Sequence, residues 1–477
     1  MSILSSAYIT DVTYPDYFHR ELMPLWLCSG LQAMGRRTPA LDAPFTWLEL
    51  GCGTGMSTLI AAATHQYGQF IGIDINAQAI AQAQALANAA GIRNVQFLCA
   101  DFEQLCQSDQ HVLPACDFIV SHGVYSWISP NHRFAMRQII ERQLKPGGIC
   151  YLAYMSQPGS SALCAAQKLA QLHAQRTAGN CSTRVQHALS LLQRTAASGT
   201  GYFAENAGLA PELAKLSHMS TSYVAHEFLN SHWDCLHVAD VISEMQAIDC
   251  EWVGSATLLE NIDAASLPQS VLPLLHDLRQ QGASAQELET FKDIARNQNQ
   301  RRDLFQRTHH ESNTLSAEQH RQQLLQQRIT LLPAAPAPHQ TLGASLRLPT
   351  RIGPVDMPMA HIQPLLQMLQ QNGPSSYADL LQIPLYARQP AFVNQLLQTL
   401  CWAGWIQFVH PVSPDAAQRA TAQRLNQLLA SHPCGHDAQV HWACPSAGSA
   451  IPATEAMTAS GIQQRLHWLG LTAAKAA

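Results

Sequence analysis

Between residues 45 and 155 the apolar positions gather into short continuous runs separated by helical stretches. FTWLEL, FIGIDI, VQFLCADF, ACDFIVSHG and GGICYLAYM read as strands. Apolar runs of this length without alternation mark strands buried on both faces. MSTLIAAATHQYG and the alanine-rich AQAIAQAQALANAAG read as intervening helices, the second closed by Gly91. Residues 20 to 35 read as a helix leading in, and the turn Lys145-Pro146-Gly147-Gly148 opens the fifth strand. Strand and helix in alternation predict an α/β fold with a doubly wound, mostly parallel sheet over residues 1–160.

The pattern changes beyond residue 160. Residues 161–331 read as a helical middle region. Within it ADVISEMQAIDCEWVGSAT predicts a helix then a strand, and RRDLFQRT one more strand. Those strands would let the middle region complete the sheet. LPAAPAPHQ, residues 332–340, reads as a linker. Residues 341–477 predict an α-rich C-terminal domain. Its order of helix, turn, helix, turn, helix and short strand over 359–410 resembles a winged helix. Arg388 is the sole Arg or Lys between Asp356 and His410. A DNA-reading face needs several phosphate contacts, so packing or partner binding is the expected role.

Composition narrows the class. The chain has 477 residues, 47% hydrophobic, with a formal net charge of -5. That balance speaks against broad electrostatic binding to nucleic acid or anionic membrane. No run approaches the roughly 18 to 20 apolar residues of a bilayer span, and the N-terminus has no leader pattern. The 13 cysteines include no C-x-x-C pair, which suits free thiols in a reducing cytoplasm. The 22 histidines include no pair with clean ligand spacing. His226 and Glu227 in AHEFLNSH fail the H-E-x-x-H pattern because the next histidine is His232. No metal is predicted.

The strongest local chemistry is Glu49-Leu50-Gly51-Cys52-Gly53-Thr54-Gly55, placed where a strand passes into a helix. Glycines allow a sharp turn and close approach to a ligand. A dinucleotide site would space them G-x-G-x-x-G around a pyrophosphate. Here the spacing is G-x-G-x-G and an acid leads it. A carboxylate there repels a pyrophosphate and suits an ammonium group. S-adenosylmethionine carries an ammonium and no phosphate, and it is the predicted cofactor. Asp74 ends the second strand, followed by Ile75, where a carboxylate accepts from both ribose hydroxyls. Asp101 ends the third, where it faces the adenine amino group while Phe102 packs on the ring. Taken singly, each aspartate is equally a helix cap or turn residue. Their order at successive strand ends points to the ligand edge of an open α/β sheet.

ELGCGTG, GIDI, CADF and LKPGG resemble the Rossmann-like class I methyltransferases. YFHRELMP, SHGVYSW, SYVAHEFLN, WVGSATLLEN and RRDLFQR resemble one bacterial subfamily with an appended methyltransferase regulatory domain. That group includes rickettsial protein-lysine methyltransferases that modify outer-membrane proteins. The likeness covers most of residues 10–310. It implies a cofactor domain, a middle domain with dimer contacts, hence a homodimer, and a C-terminal domain. It further implies that Tyr17 and Arg20 cap the cofactor and that Gly51, Cys52, Gly53, Gly55 and Ser121 surround it. The segment after the fourth strand would face the acceptor. There His122 either relays a proton or holds the loop and touches the cofactor. Tyr125 and Trp127 either wall a slot for an amine or pack beneath the cofactor. The segment lacks the (N/D)-P-P-(Y/F) pattern that grips planar amides and nucleobase amines. Three readings follow: a protein-lysine methyltransferase, a small-metabolite methyltransferase, and a non-catalytic cofactor-binding scaffold.

Overall fold

The computed structural model describes residues 9, 11–12, 14–107, 113–336, 343–431, 440–452 and 465–471. Its centre is a seven-stranded sheet of order β3-β2-β1-β4-β5-β7-β6. The strands are β1 Phe45–Leu50, β2 Gly68–Asp74, β3 Val95–Cys99, β4 Cys116–Ser121, β5 Leu144–Met155, β6 Cys250–Ser255 and β7 Gln300–Arg307. The first five pair in parallel. β7 runs antiparallel to β5 and β6 antiparallel to β7. The last two strands therefore come from the middle region.

The predicted turn at Lys145 to Gly148 lies inside β5. Pairing steps from Cys116 opposite Leu144 to Phe118 opposite Ile149, and Gly147 takes φ +77°. This is a bulge that absorbs the extra residues while the ladder resumes.

Five helices belong to the parallel part: α1 Pro24–Ala33, α2 Met56–Thr64, α3 Ala77–Ala90, α4 Phe102–Gln107 and α5 Pro130–Gln143. α1, α2 and α3 share one apolar cluster with Trp47, Phe70 and Phe118. α4, α5 and the helix Val238–Gln246 share another with Leu48, Leu50 and Ile119. Trp47 and Leu48 are neighbours in β1 and serve opposite clusters, as the two-residue period of a strand requires. α2 is buried on all sides, which accounts for its unbroken run Leu59-Ile60-Ala61-Ala62-Ala63. The C-terminal helix Ala416–Ser431 packs across α2 and α3, and Arg424 Nε donates to Ala90 O at 2.9 Å.

Between β5 and β6, helices spanning Cys164 to Phe228 close over their own core of Val185, Leu192, Leu213 and Val224. Further along, Arg301 lies 2% exposed in β7. It meets Asp293 at 2.6 Å, Asp303 at 2.8 Å and Glu289 at 3.0 Å. Tyr154 of β5 and Trp252 of β6 both donate to Asp303. Burial alone would raise the Glu289 carboxyl. Arg301, Lys292 and Arg296 outweigh it and hold the group down at about 2. One cationic centre thus ties the two antiparallel strands to the helix Ala285–Arg296.

Strand Arg328–Leu331 sits between Ser375–Ser376 and Ile406–Phe408 in a small sheet beside helices Met359–Asn372 and Pro390–Trp402. The central strand of this small sheet thus precedes the stretch LPAAPAPHQ. Residues 337–340 of the stretch lie outside the described residues.

Candidate functional site

The carboxyl ends of β1, β2, β3 and β4 open into a cleft of about 740 Å³. Ligands of open α/β sheets bind at this edge. Its wall includes Tyr17, Glu49, Gly51, Cys52, Gly53, Asp74, Ile75, Asp101, Phe102, His122 and Trp127. Ile75 is 39% exposed, an apolar side chain presented at the mouth.

The glycine turn is shaped by two contacts. Gly51 takes φ +81°, and a Cβ there would lie 2.3 Å from Val124 Cγ2. Gly55 takes φ +73°, and a Cβ there would lie 2.5 Å from Phe97 Cε1. Gly55 is absent from the cleft wall. Its role is to let α2 start against β3, which separates it from Gly51 and Gly53. Gly55→Ala should cost about 2–4 kcal/mol in urea denaturation, from left-handed strain plus overpacking. A loss below about 0.5 kcal/mol would show that the turn relaxes freely.

Glu49 is 5% exposed and accepts from the Thr58 hydroxyl. Burial pushes its carboxyl up from 4.5 to about 8, and neighbouring Asp74 adds to the rise. The unfolded chain ionises this group near 4.5 and the folded chain near 8. Stability is therefore complete below the first value, falls between the two, and levels off above the second. The Glu49→Gln protein should match the parent at pH 4. At pH 9 it should be more stable by roughly 1–3 kcal/mol, and it should bind a cationic amino-acid ligand less tightly. Parallel unfolding curves at both pH values test this. Equal pH slopes for the two proteins would refute it.

Asp74 Oδ2 accepts from Gly53 N and Oδ1 from Asn76 N, each at 2.8 Å. It clamps the glycine turn to β2. Asp101 behaves as a helix cap: Oδ1 accepts from Glu103 N at 2.8 Å. Its Oδ2 meets His132 Nε2 at 2.9 Å. His132 also lines the cleft; it stands on α5, remote from any motif, so no local pattern marked it.

His122 stacks on His19 with ring centroids 3.7 Å apart and holds the Tyr151 hydroxyl through Nδ1 at 2.7 Å. Burial drives both imidazoles toward the neutral form, His19 to about 4. His19 is a wall residue that sequence reading missed, although it lies two positions after Tyr17.

Besides Gly55, three expected positions lie away from the cleft wall. Tyr125 is fully buried and donates to Glu244 Oε2 while accepting from Arg137, each at 2.8 Å. It is a core anchor between α5 and the helix Val238–Gln246. Ser121 Oγ donates to Leu50 O at 2.8 Å and holds β4 to β1. Arg20 donates to Cys401 O and Trp402 O and lies over the Trp26 and Trp402 rings. It fastens the N-terminal segment to the C-terminal domain. Trp127 remains on the wall, its Nε1 buried without a hydrogen-bond partner.

A parallel sheet with a reversed final strand pair, and an acid-led glycine turn at its ligand edge, define a methyltransferase of the Rossmann-like class. Residues 41–208 match the family described as "Methyltransferase domain". Residues 220–307 match the one described as "Predicted methyltransferase regulatory domain". The chain is an S-adenosylmethionine-dependent methyltransferase, and its middle segment is similar to this regulatory domain. Uncharacterized protein sll1526 of Synechocystis is 28% identical over 94% of this chain and 85% of its own length. Uncharacterized protein RP028 of Rickettsia prowazekii is 27% identical over 46% of this chain and 86% of its own. The solved structure of PKMT2 from Rickettsia typhi in complex with AdoHcy has a TM-score of 0.66 at 19% identity, covering 96% of this chain and 88% of that one. It shares the fold.

Among the described residues no three His, Cys, Asp or Glu side chains are grouped to hold a metal ion. Among them also, no helix is long and apolar enough to cross a membrane.

Proposed function

We propose that the chain transfers a methyl group to an acceptor nitrogen, the side-chain amine of a protein lysine, with the cofactor held along the β1–β4 edge. The observation that supports the cofactor placement is the pairing of buried Glu49 with Asp74 across an open glycine turn. At Gly53 an added Cβ would meet nothing within 4 Å. Backbone there can approach a ligand with no side chain between.

In this reading Glu49 takes the ammonium of the amino-acid part. Gly51, Cys52 and Gly53 follow its backbone. Asp74 takes the ribose hydroxyls, since each carboxylate oxygen still has a free lone pair. Asp101, Ile75 and Phe102 take the adenine end. Tyr17 covers the cleft from the N-terminal side. When bound, S-adenosylmethionine supplies an electrophilic methyl on a sulfonium. The acceptor amine must arrive with a free lone pair, which near neutral pH means losing a proton. His122, neutral and stacked, adds no positive charge to repel an arriving cation. Trp127 contributes its ring to the same wall, where it narrows the approach to the methyl group. Alignment of the two partners with water excluded supplies roughly 7–11 kcal/mol of barrier lowering. In this reading the enzyme works in the cytoplasm, as a homodimer, without nucleic-acid or membrane partners.

The test is incubation of the pure protein with methyl-labelled cofactor and extracts of surface proteins, followed by hydrolysis to amino acids. Label in methyl-lysine is the expected result. Label confined to small molecules would refute the protein acceptor and favour a metabolite. No label anywhere, despite cofactor binding, would leave the scaffold reading standing.

A further inference from the structure

One of the two sequence readings of the segment after β4 was an aromatic slot, yet Tyr125 is locked in the core. A different aromatic group stands at the cleft. Tyr14 and Tyr17, from the N-terminal segment, both line it. Tyr223 joins them from the helix Thr221–Phe228, which belongs to the regulatory segment. The ring centroids form a triangle: Tyr14–Tyr17 5.9 Å, Tyr17–Tyr223 5.9 Å and Tyr14–Tyr223 6.0 Å. Their planes are mutually steep, at 65°, 78° and 50°. A cation seated at the middle of such a triangle lies within about 6 Å of all three rings, the range of cation–π attraction.

Glu227 stands one turn after Tyr223, on the same helix face. Its carboxylate makes no hydrogen bond or ion pair among the described residues, while its backbone O accepts from Trp233 Nε1 at 2.7 Å. That bond fixes the loop carrying His232, another wall residue. Glu227 is part-buried and lies within electrostatic reach of Tyr223, so a ligand at the rings can meet its carboxyl.

We propose that Tyr14, Tyr17, Tyr223 and Glu227 form the acceptor subsite for an alkylammonium group, the rings holding the cation and Glu227 supplying its counter-charge. The subsite rests on the methyl-transfer reading and adds to it where the acceptor enters and what charge it bears. It also gives the regulatory segment a direct part in acceptor choice, since it contributes two of the four side chains. Burial pushes the Glu227 carboxyl up to about 8. As the carboxylate beside a bound ammonium, a group with that proton affinity can take one N–H proton, becoming the neutral acid and freeing the nitrogen lone pair for methyl transfer.

Calorimetric titration tests the subsite. The full-length protein is first saturated with S-adenosylhomocysteine. It is then titrated with Nα-acetyl-lysine amide and, separately, with the uncharged norleucine analogue. The lysine probe should bind about tenfold or more tightly than the norleucine probe. Glu227→Gln, nearly isosteric, should lose about tenfold or more for the lysine probe with S-adenosylhomocysteine affinity unchanged. Tyr223→Leu should shift in the same direction, with its melting temperature measured alongside. Equal binding of both probes, no binding of either, or an unaffected Glu227→Gln protein each overturns the subsite. Failure of the parent protein to bind S-adenosylhomocysteine is read in the first titration and overturns the cofactor placement instead.

Discussion

An Asp74→Ala protein is expected to lose about two to four orders of magnitude in affinity for S-adenosylhomocysteine. Asp74 spends one lone pair of each oxygen on Gly53 N and Asn76 N and lies on the cleft wall with the others available. Two charge-assisted bonds to ribose hydroxyls contribute roughly 1.5–3 kcal/mol each, and their sum converts to that range of affinity. Loss of the Gly53 clamp adds to the effect by loosening the turn that follows the amino-acid part. Asp74→Asn keeps one acceptor oxygen and should lose less than the alanine variant. Calorimetry on all three proteins decides it. An alanine variant within threefold of the parent would remove Asp74 from the ribose.

The second large effect concerns folding. Arg301→Met should destabilise the chain by about 3–5 kcal/mol, the usual cost of removing one partner from a buried ionic group. Asp293, Asp303 and Glu289 would be left close together around an apolar side chain, with Lys292 and Arg296 as remaining cations. The damage should depend on pH. Asp293 sits near 6 because burial raises it, and removal of Arg301 takes away an opposing charge. The variant should therefore recover stability as pH falls and these carboxyls take up protons. Urea denaturation at pH 5 and pH 8 measures both. A loss under 1 kcal/mol at pH 8 would show that the remaining cations suffice.

The parallel half of the fold was legible in the sequence because its strands are short apolar runs punctuated by glycine turns. The cleft-wall positions of Glu49, Asp74 and Asp101 were legible for the same reason: each lies at or just past the carboxyl end of a strand. What escaped came from elsewhere in the chain. His132 reaches the cleft from α5, and His232 from a loop beyond the helical insert. No local pattern announces a residue whose position depends on tertiary packing. Tyr125 misled for the converse reason. It stands two residues from Trp127 in an aromatic stretch, yet the pleat and turn aim it at Glu244 and Arg137 rather than outward. Arg20 misled because its partners, Cys401 and Trp402, stand nearly four hundred positions away.

The pairing of β5 with β7 has a consequence for biosynthesis. β5 ends at Met155 and β7 begins at Gln300, so about 145 residues must be translated before the ladder closes. At 5–20 residues per second that is on the order of ten to thirty seconds. Throughout that interval the nascent chain presents a long, apolar strand rim able to recruit other chains. A nascent product truncated after residue 160 would keep every cofactor-edge motif and still be prone to aggregation. The regulatory segment thus acts as the closing piece of the catalytic sheet, and the ribosome must deliver it before the enzyme is safe in solution.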